Sequence, residues 1–239
     1  MSVVSAAAVP WPAASFLGSL SDRDRQELLS AGVRRAIPPE RRLLTEGEQS
    51  RHVELIERGF VKVTAIAADL TETVLAIRGP GDIVGELAAV SGNRRAATVT
   101  TCGRVVSVVV RRPAFEAFLA AHPAAAAQLT RVVGDRLLWA NQRRADFASC
   151  PTKVRVARVL TDLIPVCGRP GPGGGLMVGL TQPELASMIG GKESAVHKAL
   201  RELRAAGVIA TGYGQIAVLD PHGLADLRDL TEAGFSPDR

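Results

Sequence analysis

The sequence is short of thiols, of metal-binding clusters and of long apolar runs. Its three cysteines, Cys102, Cys150 and Cys167, lie far apart and form no CxxC among 239 residues. Three thiols cannot make a closed disulfide set, and their spacing excludes zinc or iron–sulfur ligation; a reducing compartment, the cytoplasm, is expected. The alanine- and valine-rich opening, Met1 to Phe16, is broken by Pro10 and Pro12 and lacks a basic leader. It reads as a flexible tail, without signal peptide or membrane span. No nucleophile–base pair stands out, so no catalytic residue is assigned. The glycine-rich "CGRPGPGGG" lacks the Lys-Ser/Thr that would make it a phosphate loop.

What is present is a soluble composition, 46% hydrophobic and 22% charged, with a net charge of +5. A basic balance suits a polyanionic partner. Yet from Lys153 onward there are ten basic and nine acidic residues, leaving about +1. A nucleic-acid partner must therefore be argued from a local motif.

From Arg34 to Val110 short β-rich runs alternate with glycine and charge. "VELIERGFVKVTAI" turns at Gly59, "TVLAI" stops at "RGPGD", and "RVVSVVV" reads as a buried strand. A small β-barrel or jelly roll is expected. "RPAFEAFLAAHP" then gives a short helix ending at His122-Pro123. One long helix follows, on which Leu129, Val133, Leu137, Ala140, Arg144 and Phe147 recur at spacings of three and four. That stripe suits either packing on its own barrel or a two-helix seam. "TKVRVARVLTDLI" is a further amphipathic helix beyond Pro151.

In "LTQPELASMIGGKESAVHKALRELRAAGVI", Thr181 and Glu184 form a capping box with Pro183 in the first turn. Gly190-Gly191 ends that helix, and a second, from about Lys192 to Ala206, turns Val196, Leu200 and Leu203 to one face. Two helices on a tight glycine turn, followed by the hairpin "GVIATGYGQIAVLD", constitute a winged helix-turn-helix. The candidate DNA contacts are Thr181, Lys192, Glu193, Ser194, His197, Lys198 and Arg201, since lysine and arginine reach phosphates or guanine edges and serine and histidine either.

The stretch "GELAAVSGNRRAATV", Gly85 to Val99, has the chemistry of a phosphate cradle. A planar guanidinium at one of the two adjacent arginines, Arg94 or Arg95, can grip a phosphodiester through two parallel N–H bonds. Glu86 can accept from a ribose hydroxyl, and Gly85 lets the backbone approach. Amides of a short helix starting near Leu87–Ala88 can face the phosphate. A surface Glu–Arg pair is the plain alternative.

These two stretches resemble the phosphate-binding cassette, "GEL…RAATV", and the helix-turn-helix opening, "LTQPELASMIG", of the Crp/Fnr family of transcription regulators, with "VLDPHGL" as the usual finish. The resemblance runs from about Phe16 to Leu230. It implies an α+β chain: tail 1–14, cyclic-nucleotide-binding β-roll (jelly roll) 15–122, dimerisation helix 123–150, winged helix-turn-helix 151–230 and tail 231–239. It further implies a homodimer on a palindromic double-stranded operator, a hinge near Ser149–Thr152, and a cyclic nucleotide as effector, with no cofactor required, no metal and no membrane. RNA polymerase is a further partner the family admits. The ligand set is Gly85, Glu86, Leu87, Ala88, Arg95, Ala96 and Asn141. By analogy with kinase domains, alanine at Ala96 points to cAMP rather than cGMP. In cAMP-binding members a Thr-Ser pair contacts adenine where this chain has Ala140-Asn141. The usual "SRETVSR" is here "KESAVHK", which implies a half-site other than TGTGA. The alternatives are the same fold with another effector or none, and a nucleotide-binding adaptor or enzyme. An N-terminal cysteine cluster for oxygen sensing is lacking, while His52 and Cys102 stay open as sensing residues.

Overall fold

The structure, a computed structural model, describes residues 11–68, 70–171 and 175–229. Residues 1–10 of the tail expected over 1–14, and the whole tail expected over 231–239, lie outside the described residues. Trp11, expected as part of the tail, is instead held against the roll, while residues 12–14 are exposed. The Trp11 indole N–H donates to the Glu57 carbonyl at 3.1 Å, and the Arg25 guanidinium lies over its ring.

Two short helices, α1 (Phe16–Ser19) and α2 (Asp22–Ser30), open the fold, each capped by the serine before it. Eight strands with one helix among them follow. They are β1 (Val33–Ile37), β2 (Arg42–Leu44), β3 (Val53–Arg58), β4 (Val61–Ile66), β5 (Glu72–Arg78), β6 (Ile83–Val84), α3 (Glu86–Ser91), β7 (Thr98–Thr101) and β8 (Val105–Val110). They form two antiparallel sheets, ordered β1-β8-β3-β6 and β2-β7-β4-β5, as a jelly roll requires. β3 is buried on both faces, which explains why it does not alternate. Ile56 packs with Leu44, Val61, Val84, Val99 and Val105, while Val53 and Leu55 pack with Phe16, Phe115 and Leu129 on the helical side.

α4 (Arg112–Ala121) leads through His122-Pro123 into α5 (Pro123–Ser149), the long helix expected over 123–150. The apolar stripe of α5 divides its work. Leu129 and Val132 are buried against the roll, whereas Leu137, Leu138 and Phe147 remain 61%, 69% and 59% exposed on a single chain. The chain breaks at Cys150-Pro151, where the hinge is expected, and α6 (Thr152–Cys167) begins without a side-chain cap. An Asp146–Arg158 ion pair bridges the break.

Next come β9 (Arg169–Pro170), β10 (Leu176–Val178), α7 (Gln182–Met188), α8 (Glu193–Ala205), β11 (Ile209–Gly212), β12 (Gln215–Val218) and α9 (Pro221–Arg228). β9 to β12 form one antiparallel sheet whose β11–β12 hairpin is the wing, turning at Tyr213-Gly214. The core of this half, Val156, Leu160, Leu185, Val196, Leu200 and Leu203, continues into Val74 and Ile77 of β5. The two halves are therefore docked on one another. The Val74 amide donates to Ser187 Oγ at 2.7 Å, and Lys62 Nζ pairs with Glu184 Oε1 at 2.7 Å.

Candidate ligand cavity and nucleic-acid interface

A cavity of about 410 Å³ opens between the β2-β7-β4-β5 sheet, α3 and α5. That is within the range of roughly 300–1,000 Å³ usual for small-ligand sites. Its walls are mostly apolar, with Leu44, Val63 and Val99 from the sheet and Val133, Leu137 and Ala140 from α5. Three guanidinium groups, Arg78, Arg95 and Arg136, and one carboxylate, Glu86, interrupt that lining.

Arg95 is 3% exposed. Its Nε donates to Ser50 Oγ at 3.1 Å, Nη1 to the Gly85 carbonyl at 2.8 Å and Nη2 to the His52 carbonyl at 2.7 Å. None of these partners is a full charge, so burial pushes its pKa down while Glu48, Glu54 and Glu86 only partly offset this. Gly85 is indispensable to the arrangement. Its φ is +83°, and a Cβ there would stand 2.5 Å from Arg95 Nη1. α3 starts on that glycine at Glu86, with no side-chain cap on its first amides.

Glu86 is 6% exposed and does not pair with Arg95. Arg136 of α5 donates to Glu86 Oε1 at 2.8 Å, to Asp82 Oδ1 at 3.2 Å and to the Ile83 carbonyl at 2.9 Å. The long helix is thus clamped to the cassette by one side chain. With Arg78 and Arg95, the cavity lining carries three guanidinium groups and one carboxylate.

Gly85, Glu86, Leu87, Ala88, Arg95 and Ala96 all line the cavity as the sequence leads one to expect. Asn141 does not. A helical step of about 100° carries it past Ala140 to an exposed position outside the cavity. Arg94 is exposed, donating to the Gly47 carbonyl at 2.9 Å. Sequence reasoning missed Arg136, Arg78 and the Arg95 supports Ser50 and His52. Arg136 had a signal, since it stands at i+3 from Val133 and i−4 from Ala140 on the cavity stripe. His52 serves Arg95 through its carbonyl and approaches Glu54 at 3.6 Å. Cys102 is exposed just after β7, near Lys62 and Glu184.

At the other end the capping box forms as expected. The Glu184 amide donates to Thr181 Oγ1 at 3.3 Å, and Glu184 Oε2 accepts from the Thr181 amide at 2.9 Å. Val196, Ala199, Leu200 and Leu203 of α8 are buried. Lys192, Glu193, Ser194, His197, Lys198 and Arg201 are exposed together on its opposite side, with Thr181 exposed at the start of α7. The Gly190 turn holds φ +62° and abuts the Phe147 ring of α5, so the reading head touches the long helix directly.

Comparison with known proteins finds a family match for each half of the chain. A family model of the cyclic nucleotide-binding domain matches residues 34–122, and one of the Crp-like helix-turn-helix domain matches residues 154–227. A "CRP-like cAMP-activated global transcriptional regulator" of Mycobacterium tuberculosis is 33% identical over 185 residues, 77% of this chain and 82% of the relative. The chain belongs to the Crp/Fnr family of transcription regulators. A cyclic AMP receptor protein of Thermus thermophilus is 24% identical over 190 residues, 80% of this chain and 85% of its own. In fold the chain resembles the c-di-GMP-responsive global regulator CLP of Xanthomonas campestris, with a TM-score of 0.68 at 19% identity, covering 83% of this chain and 99% of that one. This Crp/Fnr member is accordingly a DNA-binding transcription regulator with a cyclic nucleotide-binding domain, and not an enzyme. Among the described residues no helix is long and apolar enough to cross a membrane.

Proposed function

We propose that this regulator works as a cytoplasmic homodimer that takes a cyclic purine nucleotide, cAMP foremost, in the α3–α5 cavity and then grips a palindromic operator. The observation that carries the reading is Arg95. It is a buried guanidinium tethered by two carbonyls and a serine, with one N–H of Nη1 left over, in a cavity lined by more guanidinium groups than carboxylates. A cyclic phosphodiester supplies one negative charge. Glu86, fixed by Arg136 through one oxygen, takes the ribose hydroxyl, and Ala96 leaves the adenine side free of a hydroxyl. The cAMP-activated mycobacterial relative supports the same choice.

Ligand binding bears on α5 through Arg136, Leu137 and Ala140, and α5 reaches the reading head through Phe147 and the Asp146–Arg158 pair. A ligand that binds two hinge arrangements unequally shifts their balance. In the dimer the exposed Leu137, Leu138 and Phe147 are covered by the second copy. The two α8 helices then enter major grooves about 34 Å apart. Thr181, Lys192, Ser194, His197, Lys198 and Arg201 supply phosphate and base contacts, Glu193 can accept from a cytosine amino group, and RNA polymerase is the downstream partner.

Arg95→Ala should abolish cyclic-nucleotide binding in calorimetry, because losing one partner of a desolvated charge pair costs about 2–5 kcal/mol. Unchanged affinity would defeat the reading. A same-fold regulator with a different effector is favoured by one observation, the absence of Asn141 from the cavity wall. In that case wild type binds neither cAMP nor cGMP, yet still shifts a DNA duplex in a gel.

A further inference from the structure

Arg78 is the one guanidinium of the cavity that the cyclic-nucleotide reading leaves without a task. It ends β5, and its side chain stands in the wall shared by the ligand cavity and the crevice between the roll, α5 and α6. Among the described residues it makes no ion pair, and its single hydrogen bond is long, Nη1 to the adjacent Ile77 carbonyl at 3.5 Å. Asp82 and Glu86 are its charge neighbours, but both are engaged by Arg136, which repels it. Although part of its surface opens to the cavity, the surrounding protein pushes its pKa down to about 10. A cation in that setting gains from any acceptor placed before it.

Its position says which part of a ligand that is. Arg95 precedes β7, and β7 and β5 are separated in the sheet by β4. Two strand spacings amount to about 10 Å. Glu86 lines the same cavity and is a charge neighbour of both arginines. With the phosphate on Arg95 and the ribose on Glu86, the base is the part that extends toward Arg78, beside Leu75, Ala76 and Trp139.

We infer that Arg78 is a specificity-determining ligand contact which reads an acceptor edge of the base and moves selectivity toward guanine relative to adenine. Arginine has donors only. Guanine offers adjacent O6 and N7 acceptors, whereas adenine sets a donating amino group beside its N7. Arg78 therefore opposes the adenine preference that Ala96 confers, and narrows it. The inference rests on the cyclic-nucleotide reading of the same cavity.

Calorimetric titration of the full-length protein with cAMP and with cGMP tests it, using wild type, Arg78→Leu and Arg78→Met, with Arg95→Ala as control. Both Arg78 substitutions keep an apolar side chain of useful length, and removing an unpaired cation should leave the melting temperature of the free protein unchanged or higher. The expected result is a loss of cGMP affinity of about tenfold with a distinctly smaller loss for cAMP. Equal losses for the two nucleotides, or no loss, would overturn the base-reading role even if Arg95→Ala abolishes binding of both. Wild-type protein that binds neither nucleotide would overturn the cyclic-nucleotide reading and this inference with it.

Discussion

At the scale of single residues, the cavity is organised by close approaches rather than by exposed charge. Gly85 shows this most directly, because it carries both a left-handed backbone and the carbonyl that fixes Arg95. Gly85→Ala should destabilise the protein by about 1–2 kcal/mol from the backbone alone. It should also displace Arg95 and abolish nucleotide binding, measurable by thermal melting and calorimetry together. Intact binding would show that Arg95 does not need that carbonyl. The cassette motif made Gly85, Glu86 and Arg95 legible in the sequence, since the chemistry demands those residue types in one short stretch. Their partners were not legible. Ser50 and His52 reach Arg95 across more than forty positions, and Arg136 reaches Glu86 across fifty. Only the roll's closure brings them together. Asn141, placed by its motif position, stands one helical step past Ala140 and is exposed outside the cavity of its own chain.

At the scale of elements, the docking of α7 on the β4–β5 hairpin is the feature that sequence periodicity could not announce. Val74 and Ile77 read as ordinary strand residues, yet they complete the core of the reading head. Glu184 has two duties there, since one oxygen closes the capping box and the other meets Lys62. Burial raises the carboxyl pKa, but the bonds from Lys62 and Thr181 outweigh it and hold the net value below 4.5. A depressed carboxylate contributes stability that is present above its unfolded value and lost as pH falls through its folded value. The docking should therefore hold at neutral pH and loosen as pH drops below about 4.5. Lys62→Met removes the ion pair and spares the capping box. It should speed hydrogen exchange of the Val74 amide by roughly two- to fivefold at pH 7, in keeping with about 0.5–1 kcal/mol for a partly exposed pair. Its acid sensitivity should also be blunted. Exchange identical to wild type would show that Ser187 and the apolar contacts hold the interface without help. The long helix was legible as an element, and its break at Cys150-Pro151 falls where the hinge was expected. Its division into a roll-packing stretch, a cavity-lining stretch and an exposed stretch was not, because one apolar stripe serves all three.

At the scale of the whole molecule, a cavity, a helix and a reading head lie in one connected path. Arg136 ties the cavity to α5, Phe147 and Asp146 tie α5 to the DNA-binding half, and α7 ties that half back to the roll. Under the proposed ligand control, this closed circuit is the route by which the cavity would act on the reading head. The proposed second copy would lie along the same helix, over the exposed Leu137, Leu138 and Phe147. Sedimentation should accordingly find a dimer at micromolar concentration, and a monomer would contradict that placement.

The most direct measurement is fluorescence anisotropy of a labelled duplex, selected from random DNA by the protein itself, titrated with wild type and with Arg95→Ala in the presence and absence of cAMP and cGMP. Ligand control of DNA binding predicts that at least one of the two nucleotides changes wild-type affinity by about 5- to 150-fold, and that neither changes the affinity of Arg95→Ala. Wild-type affinity that is the same with and without either nucleotide would contradict it.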